Sequence, residues 1–370
     1  MKIILIGGGH SHAIALKLWG KKPISGVQLT LISDTKKTPY SGMLPGHIAG
    51  FYTFKESHID LVSLAKFAKV EFYLARVIGL NLGTNQVICA DGTSLNFDIL
   101  SIDIGSSPDP SQIKGANQYA TPAKPVPKLL KTWNKILATA ANYSQKQLNI
   151  SIVGGGAGGV ELALNMHSRL ANIFPNKNFN IHIFQRSQQL LPNHNHWVQR
   201  KIKEILKAKN IQVYLESNVS EILANQVICE SSLKVASDYT FLVTQASAPE
   251  WIKNSGLSTD KRGFVLTENT LQSVSHPHIF ATGDIATIKN YPRPKAGVFA
   301  VRQGKPLWRN LQRMLRDKPL QPYIPQKKYL SLIGTGDKKA IASWSNFGCQ
   351  SSLLWLWKDY IDRQFISYLT

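Results

Sequence analysis

KIILIGGGHSHAIALKLW, residues 2–19, is the stretch that decides the fold. Ile3 to Ile6 are apolar without interruption, the pattern of a strand buried on both faces. Glycines follow at once, and then the apolar-rich segment Ala13 to Trp19, so the order is strand, tight turn, helix. At such a turn Gly7 and Gly9 let the backbone approach a pyrophosphate. The unpaired N–H groups and dipole of the helix N-terminus favour its negative charge. A second copy runs from Asn149 to Leu164 as ISIV, GGGAGG and VELAL, with Gly154, Gly156 and Gly159 at the full three-glycine spacing. In the first copy His12 stands where the third glycine belongs. That glycine permits close helix–strand packing, so His12 predicts a slightly wider approach and either packs in place or caps a ligand oxygen. Two dinucleotide folds in one chain predict two nucleotides, one donating electrons and one accepting them.

With 370 residues, 43% of them hydrophobic, the chain can build two or three domains with sizeable cores. Cys89, Cys229 and Cys349 stand alone, with no CxxC or CxxxxC pair. This points to a reducing compartment and away from a redox disulfide or a cysteine-rich metal site. The first strand begins at the N-terminus, so no signal peptide is expected, and no apolar run reaches transmembrane length; the expected location is cytoplasmic. The net charge of +21 suits anionic cofactors, an anionic membrane surface or nucleic acid. Basic residues are densest from Lys289 to Lys328, 11 Lys and Arg against the single acid Asp317. No zinc-finger, RNP or helix-turn-helix signal accompanies them, so no nucleic acid is expected.

Val27 to Ser33 reads as the second strand. Ser33 and Asp34 at its end lie where an acid accepts hydrogen bonds from an adenosine ribose. PYSGMLPG, residues 39–46, is a loop at the carboxyl edge of the sheet, where open α/β sheets bind ligands; Gly42, Met43 and Pro45 are candidates for the ligand wall. Phe51 to Lys69 is expected to be a short helical region with a polar turn near His58. Val70 to Val77 reads as a parallel strand. Val87 to Ala90 and Ser94 to Phe97 flank the turn Asp91-Gly92 as a hairpin. Ile99 to Ile104 closes the first half, and the turn that begins at Gly105 lies beside the same edge.

Residues 120–128, ATPAKPVPK, read as an extended crossover linker, and Leu129 to Tyr143 as a helix. The second nucleotide domain starts at Leu148, with a helix from Gly158 towards Ala171 and a strand at Asn180 to Phe184. Trp197 to Ala208 reads as a basic amphipathic helix, Ile211 to Leu215 as a strand, and Val227 to Glu230 and Asp238 to Val243 continue the β pattern. After Phe184 an acid would hold the 2′-hydroxyl of NADH, but the chain offers Gln185 and Arg186. A guanidinium pairs with phosphate oxygens, so weak discrimination or NADPH preference is expected. The histidines of NHNH, residues 193–196, lack a third ligand, and no metal site is expected. His276 and His278 read as structural.

IFATGDI, residues 279–285, delivers Gly283 and Asp284 from a short strand into a loop, where an aspartate can accept hydrogen bonds from ligand hydroxyls. RPKAGVFAVRQG, residues 293–304, then opens a helix whose N-terminal amides point at an electron-rich group. Lys295, Ala296 and Gly297 stand at its start. The last 27 residues are aromatic, with Trp344, Phe347, Trp355, Trp357, Tyr360, Phe365 and Tyr368. Leu353 to Ile366 has helical spacing, broken by Lys358, Asp359, Asp362 and Arg363. This segment fits a dimer or domain-docking surface, or a helix lying on a bilayer; it is too polar to span one.

GGGHSH, the strand before GSSP, GGGAGGVE and ATGDIA, in that order, resemble the pyridine nucleotide–disulfide oxidoreductase superfamily, and within it type II NADH dehydrogenase-like proteins. PYSGMLPG, RPKAGVFAVRQG and LWKDYIDRQF are similar to the flavoprotein module joined to selenide, water dikinase. The resemblance implies an α/β fold of two Rossmann-like domains, the second inserted in the first. FAD would lie on residues 1–118 and 260–325, NAD(P)H on residues 119–259, and residues 326–370 would form an α+β tail. It assigns Gly7, Gly9, Asp34 and Asp284 to FAD. It puts the start of the 293–304 helix at the O2 side of the flavin ring, which gains negative charge on reduction. Ala296-Gly297 occupy the place of an Ala-Gln pair in many relatives. Glu161 matches an acid that relatives place near nicotinamide or quinone, and with Pro45 it forms the catalytic set. The implied reaction is hydride transfer from NAD(P)H to flavin, then electron transfer to a quinone or another small acceptor. A flavoprotein partner in selenium metabolism and a nucleotide-sensing module are the competing expectations.

Overall fold

Two parallel sheets built on one plan carry the molecule. The computed structural model describes residues 1–139, 147–174, 178–244 and 246–370. Its helices are α1 (His10–Lys21), α2 (Leu44–Ile48), α3 (Leu61–Ala68), α4 (Ala116–Tyr119), α5 (Val126–Thr139), α6 (Ala157–Ile173), α7 (His196–Ala208), α8 (Glu250–Asn254), α9 (Gly297–Met314) and α10 (Ser352–Leu369).

The first sheet runs, in spatial order, Ile279–Ala281, Ile99–Ile102, Lys2–Ile6, Gln28–Ser33 and Glu71–Leu74, all parallel. Its central strand alternates between two cores, because successive strand side chains point to opposite faces. Ile3 and Leu5 pack with Leu16 and Trp19 of α1 and Leu307 and Trp308 of α9. Ile4 and Ile6 pack on the other face with Val87, Phe264 and Ile285. Both faces are therefore dry, which is why the strand reads as an unbroken apolar run. The order places residues 279–281, from late in the chain, beside residues 99–102. The middle of the chain is thus an insertion.

The second sheet has the order Ala120–Pro122, Tyr239–Leu242, Leu148–Val153, Phe179–Phe184 and Gln212–Tyr214. Ile150 and Ile152 meet α5, α6 and α7 on one face. Val153, Phe184 and Leu242 meet an antiparallel meander on the other. Ser107–Pro108 and Ala246–Ser247 pair antiparallel where the chain passes between the sheets.

Each sheet carries the same three-stranded meander: Val77–Asn81, Gln86–Cys89 and Ser94–Asn96 in the first, Val219–Ile222, Gln226–Cys229 and Lys234–Ala236 in the second. The tetrapeptide QVIC fills the middle strand of both. Cys89 and Cys229 are buried in it, and burial pushes both thiols up. Nine residues beyond each cysteine, Asp98 accepts from Lys2 N and Asp238 from Asn149 N. Each acid thereby pins its meander to the start of the nucleotide-turn strand, at its first residue Lys2 and at Asn149, the second residue of Leu148–Val153.

Three expectations need correction, and a fourth falls partly outside the described residues. Phe51 to Lys69 is not simply helical: His58–Asp60 is a strand, and Asp60 caps α3 through Ser63 N. Val70 to Val77 divides into Glu71–Leu74 and the first meander strand, which shares Val77. Residues 120–128 are not a free linker, since Ala120–Pro122 is an edge strand of the second sheet and α5 begins at Val126. The proline content hid an edge strand, where a missing N–H is tolerated. The helix expected to reach Tyr143 is seen to Thr139, and residues 140–143 lie outside the described residues.

The tail forms an antiparallel sheet of Ser331–Gly334, Ala340–Trp344 and Phe347–Ser351, then α10. Asp362, Ile366 and Leu369 face inward, while Leu353, Leu356, Trp357 and Tyr360 are exposed. Among the described residues no helix is long and apolar enough to cross a membrane.

Candidate functional site

The first glycine turn closes where the central strand ends. Gly7 has φ +92°, a conformation that favours glycine, and a Cβ there would lie 2.4 Å from Asp103 O. Gly9 N donates to the same carbonyl at 3.1 Å. His12 does not face a ligand. It is fully buried, its Nδ1 pairing with Gly7 O at 2.7 Å and its Nε2 with Ser101 Oγ at 2.8 Å. The imidazole thus replaces the third glycine by bonding helix to turn and to the neighbouring strand. Burial lowers its pKa to about 4, so it stays neutral.

Ser33 is buried and its Oγ accepts from Thr35 N, whereas Asp34 projects into solvent at the strand end. Asp34 is therefore the better placed of the two for a ribose. Gly105 has φ +73° and nothing within 4 Å of its Cβ position, leaving an open edge there. Across the Asp103 carboxyl from Gly9, Gly283 and Asp284 form a 3₁₀ turn. Asp284 accepts from Lys124 Nζ at 2.6 Å and from Ser106 Oγ at 3.3 Å. Burial works to raise its pKa, but Lys124, Lys295 and Ser106 outweigh it and hold the carboxyl below its usual range.

Ala296 caps α9, and a Cβ on Gly297 would come within 2.6 Å of Ser41 Oγ. Ser41 also pairs with His10 Nε2 at 3.1 Å. The place expected for a glutamine side chain is thus bordered by Ser41 and His10. Lys295 is turned away from that helix start. Its ammonium binds Ala286 O at 2.6 Å and Thr287 Oγ1 at 2.9 Å and lies 3.9 Å over the Phe264 ring. Burial lowers its pKa to about 8 against the pull of Asp260 and Asp284.

Gly42 serves the tail. A Cβ there would lie 2.6 Å from Asp362 Oδ1, and Gly42 O accepts from Lys358 Nζ. Pro45 stands in the first turn of α2, which packs on α6. With no acid–base group of its own, Pro45 can shape a wall but not move a proton.

The polar residues of α10 that break its apolar run are not all on the solvent face. Lys358 and Asp362 form a buried ion pair at 2.6 Å. Asp362 accepts from Tyr40, whose ring lies 4.5 Å from that of Phe365 and 5.3 Å from that of His10. On the other side of Lys358 is Glu161 of α6, which accepts from Gly334 N at 2.8 Å. Burial raises the Glu161 carboxyl to about 7, although Lys358 and the Gly334 amide draw it down. Glu161, Lys358, Asp362, Tyr40, His10 and Ser41 thus make one polar seam from α6 to the start of α9. Of these six, the sequence reading assigned a role to Glu161 alone. The signal for Lys358 and Asp362 was their i, i+4 spacing on a helix, which puts them on one face.

At the second turn Gly154 has φ +125° and a Cβ there would lie 2.4 Å from Val243 O. A Cβ on Gly159 would stand 1.9 Å from Gly154 O, so this turn has the tight helix approach that the third glycine allows. Gly156 has open space before it. Gln185 does not reach outward. Its Oε1 accepts from Gly155 N at 3.0 Å, and its Nε2 donates to Ser187 Oγ and Gln189 O. Arg186 is exposed.

Residues 1–304 match the family model described as pyridine nucleotide-disulphide oxidoreductase. The chain belongs to this family. It is an FAD- and NAD(P)H-dependent oxidoreductase. Among similar proteins is a probable NADH dehydrogenase of Dictyostelium discoideum, 21% identical over 369 residues, covering 92% of this chain and 80% of the relative. Another is the type II NADH:quinone oxidoreductase of Haemophilus influenzae, 23% identical over 290 residues, covering 70% of this chain and 62% of the relative. Among solved structures, NDH2 from Plasmodium falciparum in complex with NADH has a TM-score of 0.85 at 16% identity, covering 99% of this chain and 97% of that one. The positive-φ turn at Gly7, the open strand end at Asp34 and the buried Asp284 make a cradle that fits FAD, with the Asp103 carboxyl beside it.

Proposed function

We propose that the chain passes a hydride from NAD(P)H at the second glycine turn to FAD at the first, and the electrons onward to a quinone. In this reading residues 1–118 and 260–325 hold FAD, residues 119–259 hold NAD(P)H, and residues 326–370 close the acceptor side. The observation that carries it is the seam described above, where α6 of the inserted sheet, α10 of the tail and the first glycine turn converge.

When bound, FAD supplies the two-electron centre that takes hydride and gives electrons up again. The chain positions the partners. Gly7 and Gly9 admit the diphosphate, Asp34 accepts from the adenosine ribose, and Asp284 accepts from ligand hydroxyls once Lys124 shares it. The first-turn amides of α9, beginning at Gly297, stabilise negative charge that gathers at the ring edge. Glu161, raised to about 7, gives or takes a proton at its carboxylate beside the Lys358–Asp362 pair. Gly154 and Gly156 seat the second diphosphate, and Arg186 offers a guanidinium to a 2′-phosphate.

The relatives' names support a quinone as acceptor. The exposed face of Leu353, Leu356, Trp357 and Tyr360 suits the surface of an anionic bilayer, where such an acceptor dissolves. Flotation with anionic vesicles would carry the protein up; a dimer that stays at the bottom would assign the face to a second copy. The test of the whole reading is a two-stage anaerobic measurement. Reduced flavin should be reoxidised by a short-chain quinone, and Glu161→Gln should slow that stage about tenfold or more while leaving FAD bound. Equal rates in both proteins would remove Glu161 from acceptor reduction, and a flavin that no quinone reoxidises would remove the acceptor.

A further inference from the structure

Asp103 occupies the place at the first turn where a diphosphate is expected. Of the amides in the first turn of α1, Ser11 N donates to Asp103 Oδ2 at 2.9 Å and His12 N at 3.2 Å. These are helix N-terminal donors of the kind that otherwise serve a phosphate. The carboxyl is wedged between Gly9 of the first turn and Gly283 of the 3₁₀ turn. A Cβ on Gly9 would lie 2.2–2.3 Å from its atoms, and one on Gly283 would lie 2.4 Å from Oδ1. Asp103 is buried to 2% exposure. The matching residue of the second turn is Val243, reached by the same count from the QVIC strand, and it brings no charge. The acid therefore belongs to one turn of the pair.

A carboxylate and a diphosphate cannot both hold this site as anions. They would share the same two amides in a dry pocket, at a separation where like charges repel strongly. A carboxylic acid can stay, because it is neutral and donates a hydrogen bond to a phosphate oxygen. We propose that Asp103 is the diphosphate-sensing residue of the first turn, and that FAD binds together with one proton taken up by its carboxylate. The proposal rests on the assignment of FAD to this turn. The balance is one FAD and one proton bound, with no bond broken.

The surroundings favour such a switch. Burial raises the Asp103 carboxyl to about 7, and Asp284 pushes it the same way against the Ser11 and His12 amides. The other ionisable groups facing it are His10 and His12 on α1, Asp284 on the 3₁₀ turn with its partner Lys124, and Lys295 before α9. Both imidazoles are held neutral by burial, each lowered to about 4. Asp284 is held below its usual range and stays charged. Lys295 at about 8 is tied to Ala286 O and Thr287 Oγ1, not to Asp103. Among the groups around the first turn, a titration near 7 therefore belongs to Asp103; Glu161, also raised to about 7, lies in the seam, and Glu161→Gln should keep the proton uptake.

The test is calorimetric binding of FAD to the full-length apoprotein across pH 6 to 9, in buffers of different ionisation enthalpy. The dissociation constant should be flat at the acid end and rise about tenfold per pH unit once Asp103 is ionised. Proton uptake at pH 8 should approach one per FAD. Asp103→Asn should bind FAD with no proton uptake and a flat profile, roughly tenfold or more tighter than the unchanged protein at pH 8. Uptake is measured on the unchanged protein, so the outcome stands even if the variant does not fold. FAD binding without proton uptake would overturn the role of Asp103 alone. Failure to bind FAD at any pH would overturn both this role and the assignment of the flavin to this turn.

Discussion

The two glycine turns are built from equivalent strands, helices and meanders, and they solve the same packing problem differently. At the second turn, glycine at position 159 lets the helix approach until a methyl group would stand 1.9 Å from Gly154 O. At the first, His12 fills the same position and bonds to Gly7 O and Ser101 Oγ. The second turn keeps Gly156 open, whereas Gly9 at the first faces the carboxyl of Asp103. The second is thus a plain cradle held by glycine and by Gln185, and the first is a cradle with a titrating group inside it. A turn that loads and releases a mobile nucleotide gains from being open. A turn that keeps a resident cofactor can carry extra polar groups, because they are satisfied by one another and by the ligand.

The contrast can be broken most severely at the packing positions. Gly159→Ala places a methyl group against backbone that cannot give way, and should cost about 3 kcal/mol or more and abolish flavin reduction by NAD(P)H while FAD stays bound. Thermal unfolding and a reductive titration check this; a variant with full hydride transfer would show that the turn is not tight. His12→Gly should be milder in geometry but leave Ser101 unpartnered in a dry site. The expected loss is about 1–3 kcal/mol, read as a lower melting temperature.

Smaller effects sharpen the seam between the turns. Lys358→Met removes the cation that draws the Glu161 carboxyl down, so burial acts with less opposition and the carboxyl should climb above about 7. A carboxyl with a raised pKa is protonated to higher pH. The pH profile of acceptor reduction should therefore move to the alkaline side, by about one unit or more, and an unmoved profile would separate Lys358 from Glu161. The smallest change is at the nucleotide edge. Arg186→Ala should weaken NADPH about tenfold and NADH little, measured by the ratio of kcat/KM values. Equal losses for both would show that Arg186 does not meet the 2′-phosphate.

The double α/β architecture was legible because parallel strands dry on both faces are mostly apolar; IILI carries that signature without a break, and ISIV and NIHIF carry it with one or two polar residues each. The glycine spacings were legible because positive φ and close approach admit few other residues. Asp103 was hidden inside ILSIDI, read as a plain strand, although an acid at the end of a dry strand is costly enough to need a reason. Aligning the two QVIC strands would have exposed it, since it sets Asp103 against Val243. Lys358 and Asp362 looked like residues that make a helix wet; only the packing of α10 on the 40–43 segment reveals that they face inward. Lys295 and Gln185 carried the right polarity, but their side chains are engaged by nearby protein groups, which local sequence does not disclose.

Stepwise addition of NADH or NADPH to the purified, FAD-loaded protein without oxygen tests most directly whether one turn feeds the other. The flavin colour should bleach with one equivalent of reduced nucleotide, and in Gly159→Ala it should persist. A yellow protein whose spectrum ignores both nucleotides would contradict the account.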